Sequence, residues 1–305
     1  MKKIVTSFLF LVILSCQVAF SQRTINNFLK PSDTLNKSRF NTFVISELAV
    51  ASATLIGLNK VWYADYPKSS FHFVNDNAEW LQMDKVGHVF STYHLSAFGA
   101  KALKWSGASR KEQLVYGTAI GLGFMSVVEI FDGHSQEWGA SLGDVLANVS
   151  GSALFVSQEL LWKEQRIIPK FSFHVTPYAS ARPNILGDSY SEQILKDYNG
   201  QTYWLSANLF LFTKSSKVPK WVNLALGYGA EGMITGNDDF VNTVFLPEDK
   251  RFRQIYLSLD VDLTKIKSKS HFIKTLFSVI NTIKIPAPTV EFRESGTVKF
   301  HLLYF

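Results

Sequence analysis

The sequence predicts an α+β protein: an N-terminal antiparallel bundle of about four helices, then a C-terminal antiparallel β region containing one amphipathic helix. Three observations carry this. Apolar residues recur with a helical period from Phe40 to about Arg166, and after about Lys170 the period changes to two. Of 305 residues, 47% are hydrophobic and 18% charged, fewer charges than the roughly 25% of an ordinary soluble domain. That composition excludes a disordered or fibrous chain. The mean hydropathy of +0.06 further implies that the apolar residues are concentrated in part of the chain. The predicted organisation is a signal peptide over 1–21, a helical bundle over 40–166 and a β-rich region over 167–305.

The first segment reads as an export signal. Lys2 and Lys3 precede an uncharged apolar run, Ile4 to Leu14, too short to span a hydrocarbon core of about 30 Å as a helix. Two processing routes fit: cleavage after Ser21, following Ala19-Phe20-Ser21, or lipid attachment at Cys16 within Ile13-Leu14-Ser15-Cys16. The apolar stretch that continues past Cys16 through Val18, Ala19 and Phe20 favours the first. A single cysteine excludes a disulfide framework and a thiolate-rich metal site. The net charge of +6, without a basic cluster interleaved with aromatics, carries no footprint for nucleic acid.

Four helices are expected in turn. Phe43 to Tyr63 is nearly apolar, interrupted by Glu47 and Lys60, and long enough to cross a bilayer. Asp84 to Trp105 is amphipathic. The third opens on the capping box Ser109-Arg110-Lys111-Glu112 and contains Gly117-x-x-x-Gly121. The fourth opens on a second box, Ser141-Leu142-Gly143-Asp144, and runs to about Trp162. Along it Gly143, Ala147 and Gly151 recur every four residues, which lets a neighbouring backbone come close. Only the first and third pass the length and charge test for lipid, so a bundle in lipid and a soluble bundle both stay open.

The second half alternates. Arg251 to Leu263 places Ile255, Leu257, Leu259, Val261 and Leu263 opposite Tyr256, Ser258, Asp260 and Asp262, the pattern of a strand with one wet face. Phe171–Val175, Gln201–Thr213, Trp221–Ala230, Val290–Arg293 and Thr297–Phe305 bring the expected strands to six. His271 to Ile283 is the amphipathic helix, and Pro177 to Gly200 reads as a linker or long loop. The terminal Phe305 resembles the closing aromatic of outer-membrane barrels, which have at least eight strands. Six strands instead predict a small sheet packed on the bundle or on a membrane surface.

Chemistry should come from ionisable residues in the apolar bundle. Asp84 and His88 share a helix face, as do Asp144 and Asn148. Glu129 lies near the C-terminal, negative end of its helix, where it needs a cation, a proton or a metal. Each has a structural alternative: Asp84 as an N-cap, Asp144 as the N3 member of its box, His88 as a packed core histidine. Lys85 either snorkels outward or pairs with Glu129, and Asp132-Gly133 reads equally as a helix stop. His94, His134 and Glu137 read as solvated or interfacial.

Together these residues form a pattern: Asp84-Lys85-Val86-Gly87-His88, then Glu129-Ile130-Phe131-Asp132-Gly133, then Asp144-Val145-Leu146-Ala147-Asn148 within Ser141 to Gly151. Over roughly Phe40 to Arg166 this resembles the YfiM-like predicted periplasmic lipoproteins, a family of unknown function, and more distantly the VanZ-like membrane proteins associated with glycopeptide resistance. Lys196–Trp204 and Gly227–Met233 are similar to a C-terminal extension of some members. Asp132 departs from the VanZ-like pattern, where Gln is expected, and the following Arg is absent. The resemblance implies a bacterial envelope protein but brings no established reaction.

Two functional readings follow. In one, a non-enzymatic envelope protein sits in or on a membrane with an Asp84/His88, Glu129 and Asp144/Asn148 network fixing helix register, and its β half meets a protein or cell-wall partner. In the other, an envelope hydrolase or transferase acts on a lipid-linked or cell-wall substrate. There His88 is general base or metal ligand, Glu129 and Asp132 are acid/base groups or ligands, and Asp144 orients the histidine or binds the metal. That donor set suits zinc or manganese. Absence of Gly-x-Ser-x-Gly, His-Glu-x-x-His and a phosphate loop favours the first.

Overall fold

The computed structural model describes residues 24–208, 211–212, 218–237 and 250–305. The export segment, with Cys16 and Ser21, lies outside them. Helix α1 spans Lys37–Leu58, with Asn36 Oδ1 accepting from Arg39 N at 3.0 Å, and runs into a π-helical turn, Asn59–Tyr63. Helix α2 spans Met83–Ser106 and stops at Gly107, whose φ of 80° suits a residue without Cβ. Helix α3, Arg110–Gly133, carries the complete capping box: Glu112 N donates to Ser109 Oγ, and Ser109 N to Glu112 Oε2. Helix α4 spans Leu142–Trp162.

Only half of the second expected box forms. Ser141 Oγ accepts from Gly143 N and Asp144 N, but Ser141 N donates to Glu129 Oε2 of α3 instead of to Asp144. That substitution frees the Asp144 carboxylate to turn elsewhere. Asp84 is not an N-cap either, since Gln82 occupies that position without a capping side-chain bond.

Among the described residues α2, α3 and α4 form the closely packed helical core, with α2 in the middle. A Cβ at Gly117 would lie 2.7 Å from Ser96 O, and one at Gly121 2.8 Å from Thr92 O, so α3 rides directly on the α2 backbone. Gly151 brings α4 equally close to Val89 on another face of α2. Helix α1 lies against this core and buries none of its residues. Lys37–Tyr63 and Arg110–Gly133 are both long and apolar enough to cross a bilayer.

Among the described residues the β half is a six-stranded antiparallel meander: β1 Ile167–Phe173, β2 Gln201–Ala207, β3 Val222–Glu231, β4 Phe252–Val261, β5 Ala287–Arg293 and β6 Val298–Tyr304. Its polarity reverses the expected one. The side chains of β4 that should be wet, Tyr256, Ser258 and Asp260, are buried, while Ile255, Leu257 and Leu259 are exposed. The same inversion holds on β2, where Trp204 and Ser206 are buried and Leu205 is exposed, and exposed apolar residues continue through Phe300, Leu302 and Leu303 of β6. Inside the curl Lys170, at 2.7 Å, and Lys284, at 3.8 Å, both face Asp260, and none of the three side chains is exposed.

Helix α5, His271–Ile280, is shorter than expected. The segment 177–200 is no linker: it holds the short helices Tyr178–Ala181, Pro183–Leu186 and Tyr190–Lys196, and buries Tyr178, Ala179 and Leu186 against Ile234.

The halves meet along α2, where Phe90 packs on Phe171 and Tyr203. His94, expected to be solvated or interfacial, is buried there with Nε2 2.8 Å from Pro169 O. Burial pushes its pKa down to about 4. A histidine held neutral in the fold contributes stability that is complete above its unfolded pKa near 6.5 and is lost as pH falls toward 4. Wild type should therefore lose about 3 kcal/mol across that window, a slope that His94→Gln removes. Equal slopes in denaturant titrations of the two proteins would refute this.

Candidate functional site

Three helices and one loop converge on a buried polar centre. Asp84 and His88 come from the first turns of α2, Glu129 from the last turns of α3, and Asp144 and Asn148 from the start of α4. The loop before α2 adds Asp76, which accepts from Ser141 Oγ at 2.5 Å. His88, Glu129, Asp144 and Asn148 are buried, and Asp76, Asp84 and Lys85 are partly open.

His88 organises the centre. Its Nδ1 lies 3.1 Å from Asn148 Oδ1, which also accepts from Thr92 Oγ1 at 2.8 Å, and 3.5 Å from Glu129 Oε1. Its Nε2 faces two carboxylates, Asp84 Oδ1 at 3.6 Å and Asp144 Oδ1 at 3.9 Å. With the Nδ1 proton directed at Asn148, a bare Nε2 lone pair would confront two anionic oxygens. Nε2 therefore needs a proton or a metal ion between it and them. Glu129 Oε1, on a side chain only 7% exposed, has no hydrogen-bond partner among the described residues.

Lys85 neither snorkels outward nor pairs with Glu129. Its Nζ lies 2.7 Å from Asp76, 2.8 Å from Asp144 Oδ1 and 3.2 Å from Asp84. Four carboxylates thus surround one ammonium and one imidazole. Burial disfavours every charge here, but the neighbours decide the signs. Burial would lower the pKa of His88, yet Asp84, Asp144 and Glu129 outweigh it and raise it. Burial would raise that of Asp84, yet His88 and Lys85 outweigh it and lower it. Asp144 is pushed up by burial and by the charge of Asp84. The second carboxylate resists ionising beside the first.

Of the predicted residues, Asp84, Lys85, His88, Glu129, Asp144 and Asn148 come together. Asp132 stands aside, accepting from Tyr63 OH at 2.8 Å. Sequence reasoning missed Asp76, in an aperiodic polar loop, and Tyr198, whose OH donates to Asp84 Oδ1 at 2.8 Å. Tyr198 falls within the Lys196–Trp204 stretch singled out for its resemblance. His134 and Glu137 are exposed.

Fold and site together define a helical polar centre joined to an inverted-polarity sheet; an exported protein of the bacterial cell envelope is what the following family match supports. Residues 72–159, which contain every member of the centre except Tyr198, match the model of a family described as "Predicted periplasmic lipoprotein (DUF2279)". No curated protein and no solved structure matches the chain.

Proposed function

We propose that the protein is a membrane-seated binding protein of the envelope whose Asp84/His88/Asp144 centre takes up a divalent cation. The carrying observation is that one ligand atom from each lies within 4.8 Å of the others while Glu129 Oε1 stays buried beside them, 3.5 Å from His88 Nδ1 and with no hydrogen-bond partner among the described residues. The 3.6 and 3.9 Å gaps at Nε2 need only slight contraction around an ion bound at about 2.0–2.2 Å. Asn148 and Glu129 then act as the outer partners that orient a ligating imidazole. One imidazole and two carboxylates suit zinc or manganese. Lys85, which shares the Asp144 oxygen, withdraws to Asp76.

Membrane seating is supported by the exposed apolar faces of α1 and the sheet, and by polar residues turned inward, the alternation that lipid-facing strands use. Lipid attachment at Cys16 fits the family description and adds a second anchor.

Purified protein should bind zinc or manganese at one equivalent per chain by titration calorimetry and elemental analysis, and Asp144→Asn or His88→Ala should weaken binding at least about 10-fold. Equal metal content in wild type and both variants would overturn the reading. A hydrolase or transferase working through a metal-activated water at this centre is the second reading, favoured by the partly open Asp84 and Lys85. It predicts loss of the cellular phenotype in Glu129→Gln at unchanged protein level.

A further inference from the structure

A cleft of about 280 Å³ opens beside the polar centre without including it, just under the roughly 300–1,000 Å³ of drug-sized ligand sites. Its walls carry four aromatic side chains, Trp62, Tyr66, Trp80 and Trp138, and between them Glu79, Glu137, Arg182 and Lys196. The two acids balance the two bases. Asn184 and Asn237 add amide donors and acceptors at the rim.

Each wall connects through a tyrosine to a carboxylate, one in the centre and one outside it. Trp80 packs against Tyr198, with ring centroids 5.4 Å apart, and Tyr198 OH donates to Asp84. On the other side Trp138 packs against Tyr63 at 5.5 Å, and Tyr63 OH donates to Asp132. A ligand in the cleft therefore lies one side chain away from two carboxylates.

The backbone here is forced into a costly shape. Trp80, Leu81 and Gln82 have φ of 49°, 49° and 64°, a left-handed run that residues with a Cβ adopt only under strain. It is held from several directions: Trp80 N donates to Gly236 O at 2.7 Å, Tyr228 OH donates to Leu81 O, and Arg253 donates to Gln82 Oε1 at 2.9 Å. Trp62 sits on the π-helical turn that ends α1, an element that recurs at functional sites. Gly236 closes the floor: a Cβ there would lie 2.8 Å from Glu79 Oε2. These elements set Trp80 and Trp62 as walls of the cleft.

We propose that this cleft binds a short, uncharged saccharide of one or two pyranose rings bearing amide substituents. Flat aromatic walls accept the C–H faces of sugar rings, and the carboxylates, amides and cations between them accept and donate to hydroxyl and acetamido groups. Balanced charge argues against a phosphate or another anion as the principal ligand. The proposal stands on the cleft and does not require a cation at Asp84/His88/Asp144.

The test uses the full chain in detergent with EDTA present, so that it is independent of metal uptake. Di-N-acetylchitobiose, cellobiose and inorganic phosphate are titrated separately while tryptophan fluorescence and ligand-observed NMR are recorded. Chitobiose should bind saturably and at least about 5-fold more tightly than cellobiose, and phosphate should not compete. Trp62→Ala should weaken chitobiose at least about 10-fold, whereas Trp62→Phe, which keeps an aromatic face, should stay within about 3-fold. No saturable binding of either sugar, preference for phosphate, or unchanged affinity in a folded Trp62→Ala each overturns the proposal.

Discussion

Asp260→Ala should destabilise the protein by about 3–5 kcal/mol, the cost of removing one partner from a buried ion pair. Asp260 Oδ2 receives Lys170 Nζ at 2.7 Å and Ser206 Oγ at 2.6 Å, and Oδ1 receives Ile285 N at 3.2 Å with Lys284 Nζ at 3.8 Å. Without the carboxylate, two fully buried ammonium groups retain, among the described residues, backbone carbonyls (Val261 O for Lys170, Leu259 O and Ile285 O for Lys284) and the face of the Trp204 ring, 5.0 Å from Lys284 Nζ. These carbonyls take one hydrogen of Lys170 and two of Lys284 and do not neutralise the charge. Thermal unfolding should show a fall in Tm of the order of 10 °C. Adding Lys170→Met should recover part of it, because replacing both partners by apolar groups is far less costly than orphaning one. A change below about 1 kcal/mol in Asp260→Ala would mean that water enters the curl of the sheet and solvates the lysines.

Gly151→Leu should be equally damaging, at least about 3 kcal/mol, through overpacking. Even a Cβ at this position would collide with Val89 O and lie 3.1 Å from Tyr93 N, both α2 backbone atoms that cannot rotate away. The damage should reach the polar centre. Asp144, Asn148 and Gly151 follow each other at helical spacing along the face of α4 that meets α2, so forcing the helices apart draws Asp144 and Asn148 off His88. Gly151→Leu should accordingly lose both thermal stability and metal uptake, and Ser150→Leu, one residue away on an exposed face, should lose neither. Retention of metal binding in a folded Gly151→Leu would show that the α2–α4 spacing does not position the centre.

Much of the helical half was legible in the sequence because its signals are local. The Ser109 box, the Gly117/Gly121 and Gly151 spacings and the Asp84/His88 and Asp144/Asn148 pairs all act within one or two turns. The second capping box misled because Glu129, twelve residues upstream in another helix, outcompetes Asp144 for Ser141 N. Asp76 and Tyr198 left no such signal: each reaches the centre from an irregular segment, where no period marks a direction.

The amino-acid sequence by itself determined which residues share a face, because helical and strand geometry impose fixed side-chain periods. It also determined where helices α3 and α4 begin, since backbone donors at a helix start need a cap, which Ser109 and Ser141 supply. Which face turns inward was decided only by the tertiary structure. Ile255, Leu257 and Leu259 had to lie together on β4, but whether they or Tyr256, Ser258 and Asp260 were buried depended on what the rest of the chain placed across from them. Lys170 and Lys284 from elsewhere in the fold met Asp260 there, so the polar face closed inward and the apolar face was left outside.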